Sequence, residues 1–197
     1  MNRYIRQEIL EILPKNFQRD IKHKKLAIVG CGGVGSVLAQ LLVRGGFINL
    51  ILIDNDKVDI SNLQRQAFFE EDIGEYKTKS LKKHILKINK DANITITNRK
   101  INTQNIESIF ANSNLIIDAT DNFAARKLIN KYCEENKKDW IYNGAVKNEA
   151  ISYIFYGKLK QFKTLFPKEI KEEKDKRSRN LTINNISCSI HRIQSNC

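Results

Sequence analysis

Residues 26–44 read LAIVGCGGVGSVLAQLLVR. Four apolar residues lead into a turn with four glycines in six positions, and a longer amphipathic run follows, which is the pattern of strand, tight turn and helix. Six of the nine glycines fall between Gly30 and Gly46, and such a concentration needs a backbone reason. Gly30, Gly32 and Gly35 take the spacing of a phosphate-binding turn: one glycine for the bend, one for close approach of a phosphate, and one for tight packing of helix on strand. The helix N-terminus then faces the anion. Asp54 ends the next apolar run, 24 residues after Gly30, where a carboxylate accepts hydrogen bonds from ribose hydroxyls. A purely structural turn is the alternative, and the glycine spacing alone does not separate NAD from ATP.

Working outward, short apolar runs at 26–29, 50–53, 94–97 and 115–118 predict strands. Longer amphipathic segments at Gly33–Arg44, Lys77–Asn89 and Phe123–Glu135 predict crossover helices. The expected fold is α/β, a Rossmann-like doubly wound, mostly parallel sheet. After Trp140 the runs WIYNG and ISYIFYG stand too close for a crossover helix, so that edge is expected to be antiparallel or mixed. Tyr4–Leu13 predicts a short amphipathic entry helix stopped by Pro14.

A chain of 197 residues that is 41% hydrophobic supports one domain with a real core. The expected layout is a helical arm over 1–24, a nucleotide-binding core over 25–157, an exposed charged loop over 168–180 and a last helix over Leu181–Cys197. The longest apolar stretch falls far short of the roughly 20 residues of a membrane span, so no membrane association is expected. Cys31, Cys133, Cys188 and Cys197 form no CxxC pair, which points to reduced thiols in the cytoplasm. A net charge of +12 favours polyanionic or acidic partners, or reflects a lysine-rich composition spread over solvated faces. His23, His84 and His191 show no metal or triad spacing and read as surface or packing residues.

The remaining polar residues decide between nucleotides. An ATP site must balance about four negative charges and hold a divalent metal, whereas a nicotinamide site needs neither. Together, GCGGVG at 30–35, LIDNDKVDISNLQRQ at 52–66, GEYK at 74–77 and DATDN at 118–122, preceded by RYIRQ at 3–7, resemble the ThiF/MoeB/HesA family of ubiquitin-activating-type adenylyltransferases.

That resemblance implies ATP bound by Gly30, Gly32, Gly33, Gly35, Asp54, Asn62, Arg65, Lys77, Asp121 and Asn122. Asp54 takes the ribose, Asn62 and Arg65 take phosphate oxygens, Lys77 faces the developing pyrophosphate, and Asp121 holds Mg2+. It also implies a homodimer in which Arg6 enters the neighbouring subunit's site, so the implied catalytic set is Arg6, Arg65, Lys77 and Asp121. On composition alone, Lys77 with Lys79, Lys82, Lys83, Lys87 and Lys90 would be a solvated helix face, and Asp121-Asn122 would cap the following helix. Asp56 and Asp59 are left as loop or secondary nucleotide contacts.

The sequence departs from the family in two places. Leu165-Phe166-Pro167 lacks the preceding CxxC of the zinc-bearing members, so zinc is not expected, and the chain ends early for the family. No cysteine lies between Cys133 and Cys188, which predicts a reaction that stops at the adenylate, with Cys188 read as a buried small side chain and a reactive thiol as the alternative. The implied substrate is the C-terminal carboxylate of a small ubiquitin-like sulfur-carrier protein of a thiamine, molybdopterin or tRNA-thiolation pathway. Alternatives are a tRNA threonylcarbamoyladenosine dehydratase, a non-catalytic partner-dependent relic, and a nicotinamide-dependent dehydrogenase in which Arg65, Lys77 and Asp121 would have no task.

Overall fold

A computed structural model of the protein describes residues 2–146, 149–159, 162 and 166. Two short helices, α1 (Ile5–Glu8) and α2 (Phe17–Lys22), precede the alternating unit. That unit runs β1 (Lys25–Val29), α3 (Gly33–Gly45), β2 (Asn49–Ile53), α4 (Lys77–Ile88), β3 (Asn93–Thr97), α5 (Ile106–Phe110), β4 (Leu115–Asp118), α6 (Phe123–Asn136), β5 (Trp140–Val146) and β6 (Glu149–Phe155). The strands form one sheet in the order β3-β2-β1-β4-β5-β6. All pairs are parallel except β5 with β6, where Trp140 faces Phe155 in antiparallel register. The α/β class, the doubly wound order and the antiparallel edge agree with the sequence reading.

Strands apolar on both sides need cover on both faces, and the sheet receives it. On one face Leu26, Ile28, Leu50, Leu52 and Ile94 pack with Ala39 and Val43 of α3 and with Leu81 and Ile85 of α4. On the other, Ala27, Val29, Ile51, Ile53 and Ile116 meet Phe110 of α5, Ile129 and Cys133 of α6, and the aromatic group Trp140, Phe155 and Phe162. Each fully buried aliphatic or aromatic side chain contributes about 1.5–3 kcal/mol. Lys138 closes the end of α5, its Nζ donating to the carbonyls of Phe110, Ala111 and Ser113 at 2.7, 2.9 and 3.1 Å.

Three details correct the sequence reading. The entry helix ends at Glu8 rather than Leu13, and Ile9, Leu10 and Ile12 find no covering surface among the described residues, staying 49–89% exposed. A second arm helix, α2, buries Gln18 and Ile21, with the Gln18 amide donating to Gly45 O. The β3–β4 crossover carries α5, whose five residues bury only Ile106 and Phe110. The 168–180 loop, the last helix, Cys188 and His191 lie outside the described residues.

Candidate nucleotide site

Strand order sets where a ligand can bind. After β1 the chain crosses to β2 on one side, while β4 lies on the other, so the carboxyl ends of β1 and β4 leave a crevice between them. The glycine turn follows β1 directly. Gly30 has φ +90°, and a Cβ there would fall 2.7 Å from Ala119 O and 3.1 Å from Thr120 N, so only glycine lets the turn touch the segment after β4. A Cβ on Gly35 would fall 1.9 Å from Gly30 O, which makes Gly35 the packing glycine of helix against turn. Gly33, the first residue of α3, is different: its added Cβ would meet Arg65 O at 3.6 Å and Arg65 Cγ at 4.0 Å, ordinary contacts. The same distances place the Arg65 side chain over Gly33. Gly32 faces Gln66, whose Nε2 would lie 3.8 Å from a Cβ there.

Asp54 closes the turn from the β2 side. Its Oδ2 accepts from Cys31 N at 2.7 Å and its Oδ1 from Asp56 N at 2.8 Å, so the carboxylate is fixed at the strand end. Burial, then the Asp54 charge, push the Cys31 thiol well above its ordinary value, while Lys77 draws it back.

Lys77 is not a solvated charge. Its side chain is 8% exposed, and its Nζ pairs with Asp56 Oδ2 at 3.0 Å. Asn62 ends a short turn of 3-10 helix (Ile60–Asn62), and its Oδ1 accepts from Asp59 N at 3.3 Å, while Arg65 Nη1 donates to Ser61 O at 3.1 Å. Asp59 accepts from the Ser61 hydroxyl and backbone, which hold its carboxyl below the ordinary aspartate range.

On the β4 side, Asn122 caps α6 by accepting from Ala124 N and Ala125 N at 2.8 and 3.2 Å. Asp121 beside it is exposed and makes no hydrogen bond or ion pair among the described residues. A lone carboxylate suits Mg2+, which takes few protein ligands and fills its shell with phosphate and water oxygens. No group of three His, Cys, Asp or Glu side chains converges among the described residues. Arg6 is exposed on α1.

Sequence reasoning missed two arrangements. Asp118 is fully buried and pairs with Arg126, Nε to Oδ2 at 3.1 Å; only the apolar run ending in a carboxylate at LIID signalled it. His84 is buried with its Nε2 3.0 Å from Asp72 Oδ2, and nothing in its helical spacing identified that partner. Two polar surface cavities of about 360 and 290 Å³ flank α5 beside Thr97, Ser108 and Ile109 and are lined by none of the site residues.

Fold and turn together define a doubly wound α/β protein with a glycine-rich turn at the switch point of its sheet. The family model described as "ThiF family" matches residues 4–192, and the chain belongs to that family. It is 33% identical over 156 residues to the molybdopterin-synthase adenylyltransferase of Escherichia coli (strain K12), covering 79% of this chain and 63% of that protein. With ubiquitin-like modifier-activating enzyme 5 of Caenorhabditis elegans it shares 33% over 147 residues, or 69% of this chain and 35% of that protein. Among solved structures, E. coli MccB superposes with a TM-score of 0.73 at 30% identity, over 79% of this chain and 45% of that one. MccB crystallised with ATP gives a TM-score of 0.66 at 30% identity, over 71% and 43%. The chain thus spans between about a third and two thirds of the proteins it resembles. No described helix is long and apolar enough to cross a membrane.

Proposed function

We propose that the protein is an adenylyltransferase that activates a carboxylate with ATP, the substrate being the C-terminus of a small ubiquitin-like sulfur-carrier protein. The geometry at the strand ends supports this reading: Arg65 lies against Gly33, Lys77 is buried against Asp56 of the loop after β2, and Asp121 is exposed just after β4. The names of the relatives and the MccB structure with ATP support the same reading.

The carboxylate oxygen attacks the α-phosphorus, the bond from that phosphorus to the bridging oxygen breaks, and pyrophosphate leaves with the electron pair. No protein nucleophile takes part. The backbone of Gly30–Gly35 receives the phosphates, Asp54 takes a ribose hydroxyl, and Arg65 and Asn62 direct hydrogen bonds to phosphate oxygens. Lys77 stabilises the charge gathering on the leaving group, and alignment supplies much of the remaining acceleration. Asp121 is the residue that would hold Mg2+, which would neutralise pyrophosphate charge.

Arg6 we assign to the site of a second subunit in a homodimer. The arm is anchored to its own body at the far end of α4, where Arg3 Nη1 donates to Ile88 O at 2.7 Å. Lys77 begins that helix, about 16 Å away at 1.5 Å per residue. The scattered cysteines favour a cytoplasmic setting. The net charge of +12 favours a second reading, activation of a carboxylate on tRNA. Pyrophosphate exchange with ATP, run separately with sulfur-carrier proteins and with tRNA, tests both. Exchange that depends on a carrier supports the first reading, exchange that depends on tRNA replaces it with the second, and none with either refutes both.

A further inference from the structure

Behind the exposed Asp121 lies a buried polar relay that the adenylation chemistry does not itself use. Asp118 Oδ1 accepts from Thr120 N at 2.9 Å and from Thr120 Oγ1 at 2.6 Å, while Asp118 Oδ2 accepts from Arg126 Nε at 3.1 Å. Arg126 Nη2 reaches on to Thr120 O at 2.6 Å. The backbone on the N-terminal side of Asp121 is thus held from both its N–H and its carbonyl, and Arg126 supplies the carbonyl contact. Asn143 Nδ2 donates to Asp118 O at 2.9 Å, and Ser152 Oγ donates to Asn143 Oδ1 at 3.0 Å, which ties the relay to β5 and β6.

The guanidinium is itself held. Its central carbon sits 4.8 Å from the centre of the Tyr142 ring. Tyr142 and Gly144 share one face of β5, and a Cβ on Gly144 would lie 2.1 Å from the Tyr142 hydroxyl and 2.6 Å from Cζ. The ring therefore leans over the space that Gly144 leaves open. This glycine has no positive φ among the described residues, so it is required for room and not for backbone conformation. The Asp118 side chain is fully buried and that of Arg126 is 13% exposed, and burial pushes the Asp118 carboxyl up against the opposing pull of Arg126.

We propose that Arg126, seated on the Tyr142 ring that itself leans over the space left by Gly144, is a positioning residue that fixes the Ala119–Asn122 segment so that Asp121 meets the metal-bound phosphates. This rests on the nucleotide reading above. It touches neither nucleotide nor metal and acts through Thr120 and Asp118. Lysine cannot replace it, because one ammonium does not reproduce two directed donors on a planar group stacked over a ring.

The test is calorimetric binding of ATP with Mg2+ and with EDTA to wild type, Arg126→Lys, Gly144→Ala and Asp121→Ala, with melting temperatures measured in parallel. No carrier is needed. In wild type Mg2+ is expected to tighten ATP binding at least tenfold. Arg126→Lys and Gly144→Ala should lose that Mg2+ increment to the extent that Asp121→Ala does, and should lose little more when combined with Asp121→Ala. Gly144→Ala keeps the buried ion pair and remains informative if Arg126→Lys folds poorly. A wild-type Mg2+ increment in Gly144→Ala and in folded Arg126→Lys overturns the proposal, as does an equal loss of ATP affinity with and without Mg2+, the mark of a merely structural role. Wild type that binds ATP without any Mg2+ increment overturns it too. Failure of the adenylation reading appears separately, as wild type that binds ATP with the Mg2+ increment but gives no pyrophosphate exchange.

Discussion

Lys77 is tied to Asp56 at both ends: its backbone N–H donates to Asp56 O at 3.0 Å, and its Nζ meets Asp56 Oδ2 at 3.0 Å. The loop from β2 therefore carries the start of α4 and holds its buried ammonium. Asp56 is 59% exposed and regains water when its partner goes. Lys77→Met is expected to melt near wild type while its rate of pyrophosphate exchange falls about 10²- to 10³-fold. A variant that melts early and keeps its rate would reduce Lys77 to a packing residue.

The glycines of the turn separate into two kinds. Gly35→Ala puts a methyl group into Gly30 O, and no flexible side chain is there to yield; lowered stability and loss of ATP binding should appear together. Gly33→Ala meets only ordinary contacts and favours helix, so its melting temperature should hold or rise slightly while ATP affinity drops as the methyl group enters the phosphate space. Calorimetry of both variants decides; unchanged ATP affinity in Gly33→Ala would remove the phosphates from that turn.

Asp121 and Asn122 are neighbours with opposite duties. Removing the cap in Asn122→Ala should cost about 1 kcal/mol, roughly 2–4 °C in melting temperature. Asp121→Ala should leave melting unchanged and weaken binding of ATP with Mg2+. Thermal scans beside titrations check the pair, and a stability loss confined to Asp121→Ala would reverse the assignment.

Acid stability carries a signature at Asp59. Its carboxyl titrates below the ordinary 3.8, chiefly through the Ser61 hydroxyl and then the Ser61 N–H. A carboxyl with a lowered folded value adds stability above the unfolded value, and that contribution disappears as the pH falls through the folded one. Ser61→Ala should move the Asp59 titration, followed by carbon NMR, back up toward 3.8. No movement would show that the hydroxyl contact is absent in solution.

Arg6 is expected to act across subunits. Arg6→Ala and Asp121→Ala proteins, each inactive, should recover part of the exchange rate once mixed, because some heterodimers hold one intact site. Proven subunit exchange without recovery would return Arg6 to its own subunit or remove it from the chemistry.

Much of this was legible from residues alone, for reasons of length and pattern. The strands around Ile28, Leu52 and Ile117 and the helices α3, α4 and α6 carry enough periodic residues to declare themselves. Helix α5 carries one buried pair, Ile106 and Phe110, which is too little for a period to show. Ile9 and Ile12 read as helical but lie exposed, because apolar spacing identifies a face without supplying the surface that would bury it. Among the polar residues, Asp54 declared itself by its place at the end of β2, whereas Arg65 and Asp121 were visible only as parts of a motif. Arg126 was not visible at all: its partners Asp118, Thr120 and Tyr142 come together through pairing of β4 with β5, which no local pattern encodes.

The strand order also has a consequence for how the chain comes apart. β3, β2 and β1 come from residues 25–97, while β4, β5 and β6 come from residues 115–155, and among the described residues the two groups are hydrogen-bonded as strands where β1 meets β4. That seam pairs Leu26 with Leu115, whereas the neighbouring pair joins Leu26 to Leu50, and closing the longer span costs about 1 kcal/mol more. The crevice described above opens on this seam. A nucleotide lying across it, held by the glycine turn on one side and by Asp121 on the other, would staple two half-sheets and oppose their separation by its own binding free energy.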